Sequence, residues 1–327
     1  MLKFLGIHRY IFIIICSQYC SHASAQAVED FIDYHVHIFS PALIENLKKE
    51  RFGSDLVKGD PNTYSDIRTI LNLNPASKLL LISTGYGYRL HHVRPEEQIP
   101  LILREQNYLS NIADQYPDRL IPFYGINPRS PYALVAIKRC HTLLNFVGIK
   151  LHFSASQVDF RDEEHIDKLK DIFAYTGQHQ IPVLLHFSNH RSDFGEKEVI
   201  QFFHDIIDPD VPQTIIFAHM GGGGWITERS IITIEAILSQ IESSIGSPHN
   251  IYFELSGIIH EKWNHHSELS DDQKRAIIRR IGLDKILFGS DYPVDRSESY
   301  LSTLQERLKL SGHEIKVISQ NDIFAEK

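Results

Sequence analysis

Phe31-Ile-Asp-Tyr-His-Val-His-Ile-Phe39 is the stretch on which the fold reading turns. Its β-branched and aromatic composition reads as a strand, and side chains two apart on a strand share a face. Asp33, His35 and His37 are therefore expected on one face, with Tyr34, Val36 and Ile38 opposite them against helices. Two imidazoles side by side are the start of a metal site. In a chain with 19 histidines some pairs fall two apart by chance, so the pair means little until its surroundings are read.

Similar short aliphatic runs recur along the chain, at residues 31–38, 79–83, 120–126, 146–153, 183–187, 214–219, 251–255 and 286–289. Between them lie helical patterns. In 162–175 the residues Ile166, Leu169, Ile172 and Phe173 recur at helical spacing, and 271–281 opens on acids and closes on Arg279 and Arg280 before Gly282. The β-then-α alternation repeats every ~36 residues, room for a strand, a helix and two loops. Eight such units have the dimensions of a (β/α)8 TIM barrel, an α/β fold in a single domain. The competing architecture is an open doubly wound sheet. It would want a Gly-rich phosphate loop after the first strand, where this chain has His37-Ile-Phe-Ser-Pro41. The longest irregular stretch, 84–98, is expected to cover the barrel mouth.

Residues 1–25 read as a secretory signal peptide, leaving 26–327 as the barrel domain. Lys3 and Arg9 precede or flank a short apolar run, Tyr10 to Cys16, and Ala23-Ser24-Ala25 supplies small residues for cleavage before Gln26. A membrane anchor is the other reading of this segment, but the run falls well short of the ~20 apolar residues a span needs. The expected destination is periplasmic or secreted. Of the three cysteines only Cys140 lies outside the leader, so no intramolecular disulfide is expected and stability must come from a core, which 43% hydrophobic residues can build. Losing Lys3 and Arg9 takes the net charge from −8 to −10, which argues against nucleic acid and anionic membrane surfaces as partners. A small-molecule substrate is the expected partner, and a homodimer the default assembly.

In a barrel of this type chemistry sits at the C-terminal ends of the strands. Run one ends in His35 and His37, run four in Lys150 and His152, run five in His186, run six in His219, and run eight leads to Asp291. A single such histidine is most simply a hydrogen-bonded, half-buried imidazole. The joint pattern is harder to dismiss, because all these ends converge on one mouth.

Five segments in order carry a family resemblance: Ile32-Asp-Tyr-His-Val-His-Ile-Phe-Ser-Pro41, Gly148-Ile-Lys-Leu-His152, His186 after an apolar run, Ala218-His-Met-Gly-Gly222, and Phe288-Gly-Ser-Asp-Tyr-Pro293. Glu254-Leu-Ser-Gly257 and the terminal stretch from Ile315 to Phe324 add to it. Together they resemble the amidohydrolase superfamily, in the amidohydrolase-related branch that includes aminocarboxymuconate-semialdehyde decarboxylase, resorcylate decarboxylase and pyrone-dicarboxylate lactonase. The resemblance implies His35, His37, His186 and Asp291 as ligands of a divalent metal, with zinc expected, since three imidazoles and a carboxylate suit that ion. It implies Asp291 and His219 as catalytic residues, the first exchanging protons with the reacting water and the second polarising the substrate oxygen or steadying the water. Asp33 is expected one layer below the ligands, orienting an imidazole or another inner group. Lys150 should point into the barrel, where an ammonium needs a partner. A carboxylate or the substrate could pair with it. Carbamylated, it would instead bridge two metals.

Arg94 or Arg89, in the loop after run two with Tyr86 and Tyr88, could hold a substrate carboxylate, or the loop is simply solvated with its tyrosines packed locally. Gly221 to Gly224 reads as a tight turn, and His260, His265 and His266 as surface residues. The function expected is a metal-dependent hydrolase whose metal-activated water attacks a carbonyl or lactone carbon of a small molecule. The alternative is a metal-dependent non-oxidative decarboxylase of a small carboxylic acid, and a non-catalytic metal-binding barrel comes third.

Overall fold

A computed structural model of the chain describes residues 30–49, 59–88, 95–189, 191, 193–224, 227–243, 249–259 and 269–325. Its centre is one eight-stranded parallel sheet in sequential order: β1 (Ile32–Ile38), β2 (Lys78–Ser83), β3 (Leu120–Ile126), β4 (Gly148–His152), β5 (Val183–His186), β6 (Thr214–Phe217), β7 (Asn250–Glu254) and β8 (Ile286–Leu287). The sheet comes round on itself. Tyr34 N–H donates to the Phe288 carbonyl (2.9 Å), His37 N–H to that of Tyr292 (2.9 Å), and Tyr292 N–H to that of His35 (3.2 Å). These bonds exclude an open sheet and establish the (β/α)8 barrel.

Helices cover the outside, each for local reasons legible in its sequence. Asp271–Ile281 opens on a capping box in which Ser270 and Gln273 satisfy each other's backbone N–H groups. Asp271 and Asp272 sit at its positive end, Arg279 and Arg280 at its negative end, and Gly282, at φ 98°, lets the chain turn away. Ile278 is its fully buried contact with the barrel. No helix among the described residues is long and apolar enough to cross a membrane.

Alternating strand residues divide the apolar side chains into two compartments. Leu79, Leu81, Val183, Leu185, Ile215, Phe217, Ile251 and Phe253 face the helices. Leu80, Ile82, Ile121, Phe123, Leu184, Ile216, Tyr252 and Leu287 fill the N-terminal half of the barrel interior. Phe123 has room there because β4 places Gly148 beside it, where a Cβ would come within 2.3 Å of the ring. The chain closes this floor from below. Phe324 stacks on Tyr34 at 6.0 Å and meets Phe123 edge-on at 6.1 Å, while the Tyr34 hydroxyl donates to Asn321 O (2.8 Å) and accepts from Ile323 N–H (3.0 Å).

Two expectations need correction. Strict alternation along β1 fails, because between Asp33 and Val36 the strand carries one residue more than its neighbour does between Leu79 and Leu81. This β-bulge turns Tyr34 into the barrel floor rather than toward the helices, and Asp33 does not share a face with His35 and His37. The described parts of the stretch 84–98 are also more regular than expected. Gly85–Tyr88 forms a 3-10 turn and a helix already begins at Pro95, where proline followed by Glu96 and Glu97 is a start signal.

Candidate metal centre

Climbing several strands inside the barrel, apolar residues give way to ionisable ones. On β5 Leu184 is followed two residues later by His186, on β7 Tyr252 by Glu254, and beyond β8 the chain passes Gly289 to reach Asp291. On β1 His35 lies within the bulge and His37 follows it. Asp291 Oδ1 lies 3.1 Å from His37 Nε2 and 3.4 Å from His35 Nε2. The three residues form one group whose donor atoms all lie within 4.8 Å of one another. Asp291 and His37 keep 19% and 12% of their side chains exposed against 1% for His35, so they face the mouth and His35 lies beneath them.

His219 arrives differently. β6 ends at Phe217, and the turn Ala218–Gly221 holds His219 and Met220 both at φ 54°, in the left-handed region. Such backbone costs about 1–2 kcal/mol per non-glycine residue and concentrates at functional sites. Here it swings the His219 ring to 5.1 Å from that of His35. Asp291 sits at φ 56° as well.

Beneath this layer are two fully buried ionisable side chains, one basic and one acidic. Lys150 Nζ lies 3.4 Å from His35 Nε2, and Glu254 Oε2 lies 3.0 Å from His35 Nδ1. Lys150 thus points into the barrel as its alternation on β4 requires. Burial pulls the Lys150 ammonium down to about 8 and pushes the Glu254 carboxyl up to about 8. Burial and then the neighbouring Lys150 hold His35 well below the usual histidine range, and burial lowers His219 to about 4, so both imidazoles are neutral. Burial alone would raise Asp291, but the hydrogen bond from His37 and the nearby His219, His37 and Lys150 outweigh it and keep the carboxylate ionised.

His186 belongs to neither of the close donor groups among the described residues. Its ring stacks on that of His152 at 3.8 Å and meets His219 edge-on at 5.1 Å. His152 Nδ1 accepts from Ala155 N–H (3.2 Å), and its ring lies 5.2 Å from that of Tyr86. Tyr86, Tyr88 and His186 are buried, as the local-packing reading of the tyrosines has it, while His152 is half-buried.

Asp33 orients backbone, not an imidazole. Its Oδ1 accepts from His35 N–H (3.0 Å) and Ser290 N–H (3.0 Å), and its Oδ2 from the Ser297 hydroxyl (2.6 Å) on the outer side of the barrel. Burial raises its carboxyl to about 6. The bulge is the reason, because it places Asp33 at the seam between β1, β8 and the helix Ser297–Leu308. Arg89, Arg94, His260, His265 and His266 lie outside the described residues, as does the leader.

Glu254 and Ser256 are the residues the strand-end reading missed. Reading the seventh run through to Leu255 hid the carboxylate one position earlier, on the inward face, where the same test would have found it. Gly289 marks the same spot from the other side. A Cβ there would lie 2.0 Å from Glu254 Oε1 and 2.9 Å from His35 Cβ.

A family model described as amidohydrolase matches residues 32–317, nearly the whole barrel. The chain belongs to the amidohydrolase family. Among curated proteins no relative matches. Several solved structures are similar to this amidohydrolase in fold. A 2,6-dihydroxybenzoate decarboxylase from Rhizobium has 13% identity and a TM-score of 0.59, over 89% of this chain and 96% of that one. A 5-carboxyvanillate decarboxylase from Novosphingobium aromaticivorans, complexed with manganese and 4-hydroxy-3-methoxy-5-nitrobenzoic acid, has 16% identity and a TM-score of 0.61, over 89% and 94%. A structure named amidohydrolase II has 17% identity and a TM-score of 0.57, over 89% and 97%.

The donors of this amidohydrolase fit a divalent cation. Two imidazoles and a carboxylate converge, and their lone pairs suit a borderline or hard ion alike.

Proposed function

We propose that this amidohydrolase is a metal-dependent, non-oxidative decarboxylase of a small planar carboxylic acid. The observation that supports this reading most is the convergence of His35, His37 and Asp291 in one 4.8 Å group at the mouth of the barrel. Similarity of fold to decarboxylases of dihydroxybenzoate and carboxyvanillate suggests the reaction and the aromatic substrate class. His35, His37 and Asp291 would hold one divalent cation, with His186 and His219 the next imidazoles around it. When bound, the cation supplies a fixed positive charge that orients an anionic substrate and offsets negative charge developing on it.

The remaining roles fall to side chains. The half-buried His152, stacked on His186, is the ring placed to meet a conjugated substrate. Decarboxylation replaces the carboxyl group by hydrogen: the carbon takes a proton, the bond to the carboxyl carbon breaks, and carbon dioxide leaves. Asp291, exposed to the mouth between His37 and His219, is placed to carry that proton.

Hydrolysis at a carbonyl or lactone carbon is the second reading, favoured by the ionised state of Asp291, which suits a base that takes a proton from water. Product analysis separates the two. Protein purified without added metal, then loaded separately with manganese and zinc, is incubated with 2,6-dihydroxybenzoate and 5-carboxyvanillate and with a panel of esters and lactones. Carbon dioxide release that a chelator abolishes is the expected result. Ester or lactone turnover without carbon dioxide would overturn decarboxylation in favour of hydrolysis. Metal analysis of the same preparation is expected to find one equivalent per chain, and zinc in preference to manganese.

A further inference from the structure

At the height of Lys150, β3 brings no side chain to the barrel interior. Its inward residues are Ile121 and Phe123, in the floor, and then Gly125, which pairs with Lys150 in the sheet. The ring of Tyr86, from the turn after β2, takes that place. A Cβ on Gly125 would come within 2.9 Å of Tyr86 Cε1 and 1.9 Å of Ser83 O, and one on Gly85 within 2.7 Å of Gly125 O, so two glycines let the turn lean in this far. The Tyr86 ring lies 5.2 Å from that of the half-buried His152, and the Asp291 carboxylate is near enough to act on its phenol.

The two tyrosines of this turn end differently. The Tyr88 hydroxyl donates to Glu105 Oε1 (2.8 Å). Tyr86 is only 4% exposed, yet its hydroxyl has no hydrogen-bond partner among the described residues. Nor is it one of the polar atoms sealed from solvent without a partner, so the small exposed part of Tyr86 includes the hydroxyl. A buried tyrosine hydroxyl ordinarily finds a partner. Here the partner has to come from what enters the mouth, water in the free protein and a ligand oxygen when the mouth is filled.

We propose that Tyr86 is a specificity-determining residue whose hydroxyl donates a hydrogen bond to an oxygen substituent on the ring of the substrate acid. The assignment deepens the functional reading above and rests on it. The metal donors stand on β1 and beyond β8, while Tyr86 lies over β3 against His152 of β4, so an acid held by its carboxylate at the donors extends its ring toward Tyr86. A hydroxyl or methoxy oxygen there accepts the phenol proton. A plain ring would cover the phenol and leave it unpaired, and a site built on a hydrogen bond rejects the ligand that lacks the partner.

Tyr86→Phe removes this one atom. Binding of 2,6-dihydroxybenzoate, 5-carboxyvanillate and benzoate to the manganese-loaded full chain is measured by titration calorimetry, and the melting temperature is measured without ligand. Tyr86→Phe is expected to raise Kd for the two oxygenated acids about 5–10-fold, to leave that for benzoate unchanged, and to melt at or above the wild-type temperature, since the lost hydroxyl bonds nothing in the protein. Tyr88→Phe, which loses the bond to Glu105, is expected to melt lower and to keep the wild-type ratio of oxygenated acid to benzoate. Unchanged Kd values in Tyr86→Phe, an equal loss for benzoate, or a lowered melting temperature overturns the proposal. If the wild type binds the oxygenated acids but releases no carbon dioxide, the decarboxylase reading fails and the Kd ratio alone decides the role of Tyr86. If the wild type binds neither oxygenated acid, the substrate class and the Tyr86 assignment fall together.

Discussion

The two ends of the barrel interior are built on the same strands, a few residues apart, and share almost no chemistry. The N-terminal end is a dry plug of Ile82, Phe123, Leu184, Ile216 and Leu287, sealed from below by Phe324. At the C-terminal end His35, Lys150, Glu254 and His219 are just as buried, but every one is ionisable or polar. An apolar floor below and packed helices around exclude water from the polar layer. This is why burial rather than neighbouring charge is the largest influence on Lys150, Glu254, His35 and His219. One end supplies stability, and the environment it creates tunes the other.

Substitutions at the two ends should therefore separate activity from stability. The largest effect is expected for Asp291→Asn, which removes the group placed to move a proton while asparagine tolerates the same left-handed backbone. Turnover should fall by about 10²–10⁴-fold with the melting temperature unchanged or raised, because functional sites hold strain that substitution can relieve. A melting temperature lowered in step with activity would mean that the mouth is structural after all. Next is Phe123→Ala at the floor, expected to cost about 3–5 kcal/mol in chemical denaturation through the cavity it leaves. Metal content per folded chain should be unchanged; loss of metal would show that the two ends are not separable.

The smallest effect tests how firmly the floor is held. The helix Gly312–Gln320 runs directly into the sealing residues, and Arg279 bonds Glu314 near its start at 2.6 Å. That hydrogen bond, followed by those from Ser311, lowers the Glu314 carboxyl to about 2. Its folded value lies below its unfolded one, so the stabilisation is present above about pH 4.5 and is lost as pH falls toward 2. Glu314→Gln should remove this dependence and cost at most about 1 kcal/mol at neutral pH, since the pair is partly solvated. Urea denaturation of both proteins between pH 2 and 6 measures it, and parallel curves would refute the contribution.

The barrel was legible because the eight apolar runs and the helices between them repeat at a length only one closed architecture uses well. His35, His37 and Asp291 were legible for the same reason, since strand ends converge whatever the loops do. Less visible was anything that depends on how strands meet. The bulge in β1 is a mismatch between two hydrogen-bonded neighbours, and no single run reveals it; Asp33 was misplaced for that reason. Glu254 escaped because its run continues through an apolar Leu255, although its inward position follows from Tyr252 two residues before. The left-handed turn that aims His219 leaves only glycine as a trace, and the glycines there follow the histidine instead of preceding it.

The extra residue in β1 has a consequence for how this chain can change. In an unbroken strand, the phase of the floor and the phase of the histidines are one quantity, and any slip below rotates the site above. Here the two are joined through a flexible coupling, with the Asp33 carboxylate clamping its downstream side through His35 N–H and Ser290 N–H. A change in floor packing therefore need not turn the imidazoles, because their phase is set at and above the bulge.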